Sequence, residues 1–597
     1  MNTSEKIAEL RKLMAERNID IYYVPNADDH LSDEYTADYY KCKSWLSGFS
    51  GDSGFVVVTK DFAGLWTDGR YFTQAEDELA GSEVELMRMG QAGVPTVREF
   101  LVEHTPENGL LGFDGRMVSA SETLFLQKEL KKKHASMHIN EDLVGMIWKD
   151  RPGLPEEKIF VLDEQYTGES VGARIAKVRA KMEEKGADVL VLSALEDPCW
   201  MLNVRGNDIP CTPVPYAFTM VDGSDVHYYI DEDKVSEEVK QYFAENGVTV
   251  ESYDAIYEDI SKLKDKTVWA DLSKMNTKMY DMLAAGDNRV LNETCPVAMM
   301  RAVKNAVERK NTLNAHIKDG VAMVRFIRWV KENVNKGDMT ELSAADKLYA
   351  LREMGEGYIE PSFETISAYQ ENAAMMHYTA TKEKYSAVKA RGFLLVDSGG
   401  TYLDGTTDIT RTISLGGLTE EEKKYYTLVL KGHLDLAHAR FLYGTTGNNL
   451  DILARAPLWN IHIDYQCGTG HGVGHVLSVH EGPHGVRWGV RGNLIPLEDG
   501  MIVTDEPGIY LPHELGIRIE NELLVEKEEE NFYGQWMHFA NLTFCPYDLD
   551  AIDVRYLTDE NIAEINSYHE TVYETLSPYL DEEDKTWLQN ATRKIER

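Results

Sequence analysis

The chain has 597 residues, which is more than one hydrophobic core usually holds, so we expect three or four domains. Hydrophobic residues make up 43% of it, enough for packed interiors and too many for a disordered chain. Its 62 basic and 100 acidic residues leave a net charge of −38, which repels nucleic acid and anionic membranes. Neither is therefore expected as a partner.

The cysteines and the N-terminal segment indicate a cellular compartment. The six cysteines are scattered and form no CxxC pair, which favours reduced thiols over a disulfide framework. The first residues are polar and lack the apolar core of a signal peptide. No apolar run is as long as a membrane span. These features predict a soluble, acidic, cytoplasmic protein.

The first 155 residues predict an α/β domain. Ser4 is expected to cap a first helix, whose apolar face includes Ile7, Leu10 and Met14. Further elements are predicted as strands at 19–24, 54–58 and 63–66 and as helices at 97–103 and 121–133. The prolines and glycine at 152–155 mark the end of this domain.

Residues 156–300 predict a second α/β domain of similar type. A helix at 171–185 precedes a buried strand at 188–193, and two further strands are predicted at 217–221 and 226–230. The same order of helix, strand and hairpin-like strands occurs in the first domain. We therefore predict two similar modules, although no sequence repeat is visible.

From residue 301 the pattern changes to long helices followed by many strands. One or two helices are predicted over 301–332 and another over 343–354. Strand-rich sequence then runs from 363 to 525, with a helix at 420–439. The end of the chain is predicted to be helical at 558–575 and 582–597. These patterns predict a third domain over 301–528 and a C-terminal extension over 529–597.

Four carboxylates and one imidazole lie in short strand-like or glycine-rich contexts within the third domain. They are Asp397 in VDSGG, Asp408 in TTDITRT, His471 in GTGHGVG, Glu506 in DEPG and Glu520 in RIEN. Oxygen ligands with a single imidazole suit a hard or borderline divalent ion such as manganese, and five such ligands suit two ions better than one. Each acid taken alone is more simply a surface residue, but the five together favour a metal pair. The spacing within each pair of acids also fits a hairpin with one ligand on each strand.

These motifs resemble the pita-bread metallopeptidase family, which includes methionine aminopeptidase, prolidase and aminopeptidase P. The resemblance implies that Asp397, Asp408, His471, Glu506 and Glu520 bind two divalent ions, with manganese expected and zinc or cobalt as alternatives. Segments 48–54, 66–72, 202–208, 541–543 and 553–559 resemble the large three-domain aminopeptidases P. The implied fold is two similar N-terminal α/β domains, then a pita-bread catalytic domain with a C-terminal extension. Its domains would span 1–155, 156–300, 301–528 and 529–597.

Three further residues have predicted roles, two of them from the same resemblance and the third from its position beside a motif. His377 in MMHY and His480 in VHEGP match family histidines that line the site and contact the substrate amide. Both would stabilise the developing oxyanion. A lone histidine beside two methionines is otherwise more often a core residue. Arg518 lies two residues before Glu520 and is expected to hold Asp408 or a substrate carboxylate.

Three other residues near the motifs suggest additional ligands. His480 to His484 satisfies the HExxH pattern of zinc proteases, but Gly482 and Pro483 would break the helix that this motif needs. We therefore interpret the match as false. His475 is interpreted as incidental, and Cys467 as a weak metal candidate at a place where close relatives often carry a histidine.

The resemblance implies a metalloaminopeptidase that removes the first residue from peptides with proline second. A hydroxide bridging two manganese ions would attack, with Glu506 as both ligand and general base. A prolidase, restricted to dipeptides, is the nearest alternative. A creatinase-like hydrolase without metals and a binding protein without catalysis are the others, and the intact ligand set argues against both. Family relatives are commonly homodimers, which sets the expectation here.

Overall fold

The computed structural model describes residues 1–32, 34–489 and 494–597, which form two compact units. The first unit comprises 1–163 with 169–297, and the second comprises 164–168 with 298–597. Within the described ranges, no helix combines the length and the apolarity that crossing a bilayer requires. All six cysteines are present as thiols.

The first half of unit one is a six-stranded sheet with helices around it. Its elements are α1 Thr3–Glu16, β1 Ile21–Pro25, α2 Cys42–Ser47, β2 Phe55–Thr59, β3 Ala63–Thr67, α3 Phe72–Leu79, β4 Glu85–Arg88, α4 Val97–His104, β5 Leu110–Gly112, α5 Ala120–Leu130, β6 Ser136–His138 and α6 Leu143–Ile147. The strand order is β4–β3–β2–β1–β5–β6. Strands β1, β2 and β3 are antiparallel, and the outer strands β4, β5 and β6 each pair in parallel with their inner neighbour.

Helix α1 begins earlier than predicted. Its cap is Asn2, whose side chain accepts the Glu5 N–H at 2.9 Å while the Glu5 carboxylate accepts the Asn2 N–H. Ser4 lies inside the first turn, so its prediction as the cap was wrong. Asparagine caps a helix as well as serine does, and a glutamate three residues later completes the capping box. The predicted apolar face is confirmed, because Ile7, Leu10 and Met14 are all buried.

The second half of unit one repeats this topology. Its elements are β7 Phe160–Val161, α8 Val171–Lys185, β8 Val189–Leu192, α9 Glu196–Met201, β9 Val204–Arg205, β10 Ala217–Asp222, β11 Val226–Ile230, α10 Glu237–Glu245, β12 Val248–Glu251, α11 Ala255–Lys262, β13 Thr267–Trp269, α12 Thr277–Ala284 and β14 Arg289–Leu291, while α7 Glu164–Thr167 groups with unit two. The sheet order is β12–β11–β10–β8–β13–β14, with the same sequence of antiparallel and parallel pairs. The prediction of two similar α/β domains is confirmed.

Unit two begins with helices and continues as strands. Its remaining elements are α13 Pro296–Ala302, α14 Ala306–Asn333, α15 Glu341–Arg352, β15 Tyr358–Pro361, β16 Ile366–Tyr369, β17 Phe393–Ser398, β18 Gly400–Tyr402, β19 Gly405–Thr406, β20 Ile409–Ser414, α16 Glu420–Ala437, β21 Arg440–Leu442, α17 Gly447–Trp459, β22 Gly470–Gly472, β23 Glu481–Val486, β24 Ile502–Asp505, β25 Gly508–Leu511, β26 Leu515–Arg518, β27 Asn521–Asn531, β28 Gly534–Asn541, α18 Asp559–Leu576 and α19 Glu582–Ala591. The segment 301–332, predicted as one or two helices, consists of the end of α13 and most of α14. There Asn305 caps α14 by accepting the N–H groups of Val307 and Glu308.

Long helices cover the strands of unit two. Helix α14 packs Phe326, Ile327 and Val330 against β17 and β20. Helix α16 packs against β25 and β26 in a second core that also includes Ile562 and Ile565 of α18. The strands between these helices are buried along most of their length and carry the site.

Candidate metal centre

Two antiparallel strand pairs hold the predicted carboxylates. In the first, β17 pairs with β20 and Asp397 lies opposite Thr410, while Asp408 directly precedes β20. In the second, β24 pairs with β27, Glu506 directly follows β24 and Glu520 directly precedes β27. A short inner hairpin, β18–β19 or β25–β26, separates the two acids of each pair. The predicted hairpin arrangement therefore holds, with three of the four acids at strand ends.

The structure brings the five predicted ligands together. His471 Nε2 lies 3.4 Å from Asp408 Oδ2 and 3.4 Å from Glu506 Oε1. Ligand atoms within 4.8 Å of one another form three groups, namely Asp408–His471–His480, His471–Glu506–Glu520 and Asp397–Asp408–Glu520. Asp408, His471 and Glu520 each belong to two of these groups, an arrangement suited to ligands shared between two ions.

The donor set fits divalent cations. Within the described residues, Asp397 Oδ1 and Glu520 Oε1 are buried without a hydrogen-bond partner, a state that costs free energy unless a cation is bound. His471 Nδ1 lies 2.9 Å from the Gly472 carbonyl, which only accepts, so Nδ1 carries the proton and Nε2 keeps its lone pair. Carboxylate oxygens with one such nitrogen suit manganese, zinc or cobalt.

Burial and mutual repulsion destabilise the charged carboxylates in the absence of cations. Burial, together with the nearby carboxylates, raises the pKa of Asp408 to about 6. Burial and the neighbouring Asp408 likewise raise the pKa of Glu520 well above its ordinary value. The side chain of Glu506 is 22% exposed to solvent, whereas that of Asp408 is 4% exposed. Cations in the cluster would relieve this repulsion.

Arg518 supplies the positive charge beside the cluster. Its Nη2 donates to Asp397 Oδ2 at 2.6 Å, and its Nη1 donates to the Tyr510 hydroxyl at 2.6 Å. Its Nε donates to Thr410 Oγ1 at 3.2 Å. The expectation that Arg518 holds Asp408 was wrong, because the Arg518 side chain contacts Thr410 and Asp397, which lie opposite each other in the pairing of β17 with β20. Its guanidinium is largely occupied by protein atoms.

Arg518→Met is expected to destabilise the metal-free protein by on the order of 3 kcal/mol, because it leaves Asp397 buried without a partner. The measurement is the urea midpoint of the metal-free protein, with Arg518→Lys as the charge-retaining control. A parental midpoint for Arg518→Met would show that the ion pair adds no stability.

Of the two additional histidines, His480 joins a ligand group, whereas His377 belongs to none of the groups found among the described residues. The His480 ring packs edge-on against His471, with centroids 4.3 Å apart, and His480 is exposed. It is also within ligand distance of Asp408 and His471. His377 is half-buried, and the carbonyl of the adjacent Met376 accepts from Arg518 Nη2 at 3.3 Å. Arg518 thus links the segment that carries His377 to Asp397.

The HExxH match is not a zinc-protease site. Its central residues lie in β23 rather than in a helix, so the two histidines do not share a helix face. Glu481 is buried and paired with Arg301 Nη1 at 2.6 Å and with Lys304. His484 Nε2 donates to the Ile502 carbonyl at 2.7 Å, and burial lowers its pKa to about 3. The interpretation of this motif as false is confirmed.

His484→Leu is expected to leave the bound-metal content unchanged and to cost about 1–3 kcal/mol of stability, because the Ile502 carbonyl loses its donor. Elemental analysis and thermal unfolding measure the two effects. His484→Gln restores a donor and is the matched control. Loss of metal in both variants would contradict this role.

His475 and Cys467 have contacts away from the ligand groups. His475 Nδ1 lies 3.2 Å from Thr312 Oγ1 of α14, and its Nε2 lies 3.0 Å from the Tyr166 carbonyl. The Cys467 carbonyl accepts from Arg455 at 2.7 Å. Among the described residues neither side chain joins a ligand group. These contacts indicate roles in packing and loop geometry.

Sequence reasoning missed the hydroxyl residues that orient the ligands. Thr410 Oγ1 donates to Glu520 Oε2 at 2.7 Å. Thr504 Oγ1 accepts the His471 N–H at 3.1 Å and donates to Glu506 Oε1 at 3.3 Å. The only sequence signal was their spacing, since each threonine lies two residues from a ligand on the same strand face.

Comparison with family descriptions covers nearly the whole chain. Residues 310–527 match metallopeptidase family M24, and 535–595 match the C-terminal region of peptidase M24. Residues 6–142 and 150–308 each match a creatinase/prolidase N-terminal domain.

Full-length relatives and a solved structure share this organisation. The chain is 38% identical over 611 residues to a probable Xaa-Pro aminopeptidase P of Pyrenophora teres f. teres, covering 99% of this chain and 93% of that protein. It is 37% identical over 631 residues to aminopeptidase P2 of Arabidopsis thaliana, covering 99% and 88%. The crystal structure of X-prolyl aminopeptidase from Caenorhabditis elegans, described as a cytosolic enzyme with a di-nuclear active site, superposes with a TM-score of 0.94 at 34% identity over 100% of both chains. The chain therefore belongs to metallopeptidase family M24, together with the proteins named Xaa-Pro aminopeptidase P.

Proposed function

We propose that the protein is a metalloaminopeptidase that hydrolyses the first peptide bond of substrates with proline in the second position. The observation that carries this proposal is similarity along the whole chain to proteins named Xaa-Pro aminopeptidase P. The clustering of Asp397, Asp408, His471, Glu506 and Glu520 supplies the chemistry that such a reaction needs. The domains proposed for it are 1–155, 156–300, 301–528 and 529–597.

Two divalent ions, with manganese as the native metal, are proposed for the site. The Caenorhabditis elegans enzyme is described as having a di-nuclear active site, and the three ligand groups of this chain share members, as the ligands of two neighbouring ions would. When bound, two such ions supply Lewis acidity and lower the pKa of a water molecule. The ligands proposed for them are Asp397, Asp408, His471, Glu506 and Glu520.

The residues of the chain have distinct proposed roles in the reaction. Glu506 is the general base, since its side chain is more open to solvent than that of Asp408. It would take a proton at its carboxylate and pass it to the proline nitrogen. His480 and His377 would stabilise negative charge on the carbonyl oxygen of the substrate. Arg518 would act chiefly by holding Asp397, whereas the sequence predicted a contact with Asp408 or with a substrate carboxylate.

A panel of three peptides tests the substrate class. The proposal predicts release of the first residue from Xaa-Pro-Xaa, with Xaa-Ala-Xaa cleaved far more slowly. Cleavage of the Xaa-Pro dipeptide alone would identify a prolidase instead. The solved Xaa-Pro dipeptidase from Bacillus anthracis shares the fold, but it covers only 64% of this chain at 22% identity.

A cytoplasmic location and a homodimer are also proposed. The Caenorhabditis elegans enzyme, which is described as cytosolic, supports the first. Light scattering of the purified protein tests the second, with the mass of two chains expected and that of a single chain contradicting it.

A further inference from the structure

Glu522 is a fully buried carboxylate beside the cluster that the proposed ligand set does not use. It lies in β27, two residues after Glu520, and its Oε1 accepts the backbone N–H of Asp408 at 2.7 Å. Its Oε2 lies 3.2 Å from Nε2 of His316, which is buried on α14. Among the described residues, neither Glu522 Oε2 nor His316 Nε2 makes a hydrogen bond of regular geometry.

A carboxylate in this position needs a compensating interaction. Burying an ionised group is costly unless hydrogen bonds or an opposite charge offset its lost hydration. Glu522 receives a hydrogen bond from a backbone N–H, and its other oxygen faces an imidazole nitrogen at 3.2 Å. Hydrogen bonds from a backbone N–H to a carboxylate are short and strong. The bond from Asp408 therefore fixes the peptide group of Asp408 relative to β27.

The same position connects Asp408 to the other ligands. Glu522 lies opposite Thr504 in the pairing of β27 with β24. Thr504 in turn contacts the backbone of His471 and the carboxylate of Glu506. The cross-strand pair Thr504–Glu522 thus contacts three of the proposed ligands, namely Asp408, His471 and Glu506. A ligand that belongs to two groups, as Asp408 does, depends most on such fixation.

We propose that Glu522 is a positioning residue of the metal centre, which holds the Asp408 backbone so that its carboxylate faces both ion positions, with His316 as its buried partner. Glu522 acts through Asp408 and contacts neither substrate nor cation. The proposal rests on the two-metal function proposed above, but it concerns ion binding, which is measurable without turnover.

Calorimetric titration of Mn²⁺ into metal-free protein tests this role. Glu522→Val removes the acceptor while keeping a residue that suits a strand, and it is expected to weaken Mn²⁺ binding by about 10- to 100-fold. Glu522→Gln keeps an oxygen for the Asp408 N–H and is expected to bind within about threefold of the parent. At saturating Mn²⁺, the KM for an Xaa-Pro-Xaa peptide should be unchanged in both variants.

Asp584→Leu is the matched control, because Asp584 is a buried carboxylate paired with Arg325 and Arg328 away from the cluster. It should lower thermal stability and leave Mn²⁺ affinity at the parental value. Parental affinity in Glu522→Val, or equally weak binding in Glu522→Gln, would overturn the proposal. Glu522→Leu replaces the valine variant should that one fail to fold. Failure of the parent itself to bind two ions or to cleave the peptide would instead contradict the proposed function.

Discussion

Asp408→Asn is expected to reduce divalent-ion affinity by more than about 100-fold, the upper end of the loss caused by substituting residues that only surround a metal ligand. Turnover should fall as metal is lost. The reason is that Asp408 belongs to two of the three ligand groups, so its loss affects both ion positions. Calorimetry with Mn²⁺ and peptide turnover measure the two effects.

The same substitution should stabilise the metal-free protein. Burial raises the pKa of Asp408 from 3.8 to about 6, so its charged form disfavours the folded state above pH 6. A shift of this size corresponds to at most about 3 kcal/mol. That cost is fully present above pH 6 and disappears as the pH falls below 3.8. The stability gain of Asp408→Asn should therefore be large at pH 8 and absent at pH 3.5.

Unfolding of the metal-free proteins at the two pH values measures this gain. Asp346→Asn, a change at an exposed acid on α15, is the control and should alter neither stability nor metal binding. Equal stability of Asp408→Asn and the parent at pH 8 would show that burial and the neighbouring carboxylates do not disfavour the charged form of Asp408 in the folded protein.

Glu506→Gln is expected to lower kcat by about 10²- to 10⁴-fold, the range that a general base contributes. The amide keeps an oxygen for Thr504 and for an ion, but it cannot take a proton. The variant should therefore lose turnover to a greater extent than metal content. Peptide turnover and elemental analysis of the same preparation separate the two losses.

Thr504→Val is the matched control for Glu506→Gln, because it removes the hydroxyl contact and leaves the base in place. We expect a smaller loss of kcat in this control. Parental turnover in Glu506→Gln would assign the base to another residue, with His480 the next candidate since it lies in the same cluster.

Local patterns predicted helices and strands well where the apolar periodicity agreed with the residues that begin or end such elements. The helix predicted at 171–185 has those bounds as α8, and both α/β domains were recognised from element order. Helix α17 was not predicted, because it contains Pro457, a residue that usually ends a helix. The Ser4 cap was wrong because Asn2, Thr3 and Ser4 are all good capping residues and only geometry selects Asn2.

The sequence predicted which five residues the structure brings together at the candidate metal centre, but not the contacts between strands. The motifs themselves point to Asp397, Asp408 and His471, since each lies in a distinctive short segment. The partner of Arg518 depends on how β26 lies beside β17, which no local pattern specifies. Glu522 was missed for the same reason, since its partners lie 114 residues away at Asp408 and on α14 at His316.

Titration of Mn²⁺ into metal-free protein, followed as release of the first residue from an Xaa-Pro-Xaa peptide, shows whether the protein is a two-metal Xaa-Pro aminopeptidase. We expect no turnover without metal, activity that rises until two ions are bound per chain, and the free first residue as product by mass spectrometry. Turnover that survives complete metal removal, or a protein that binds two ions and does not cleave the peptide, would rule out the proposed function.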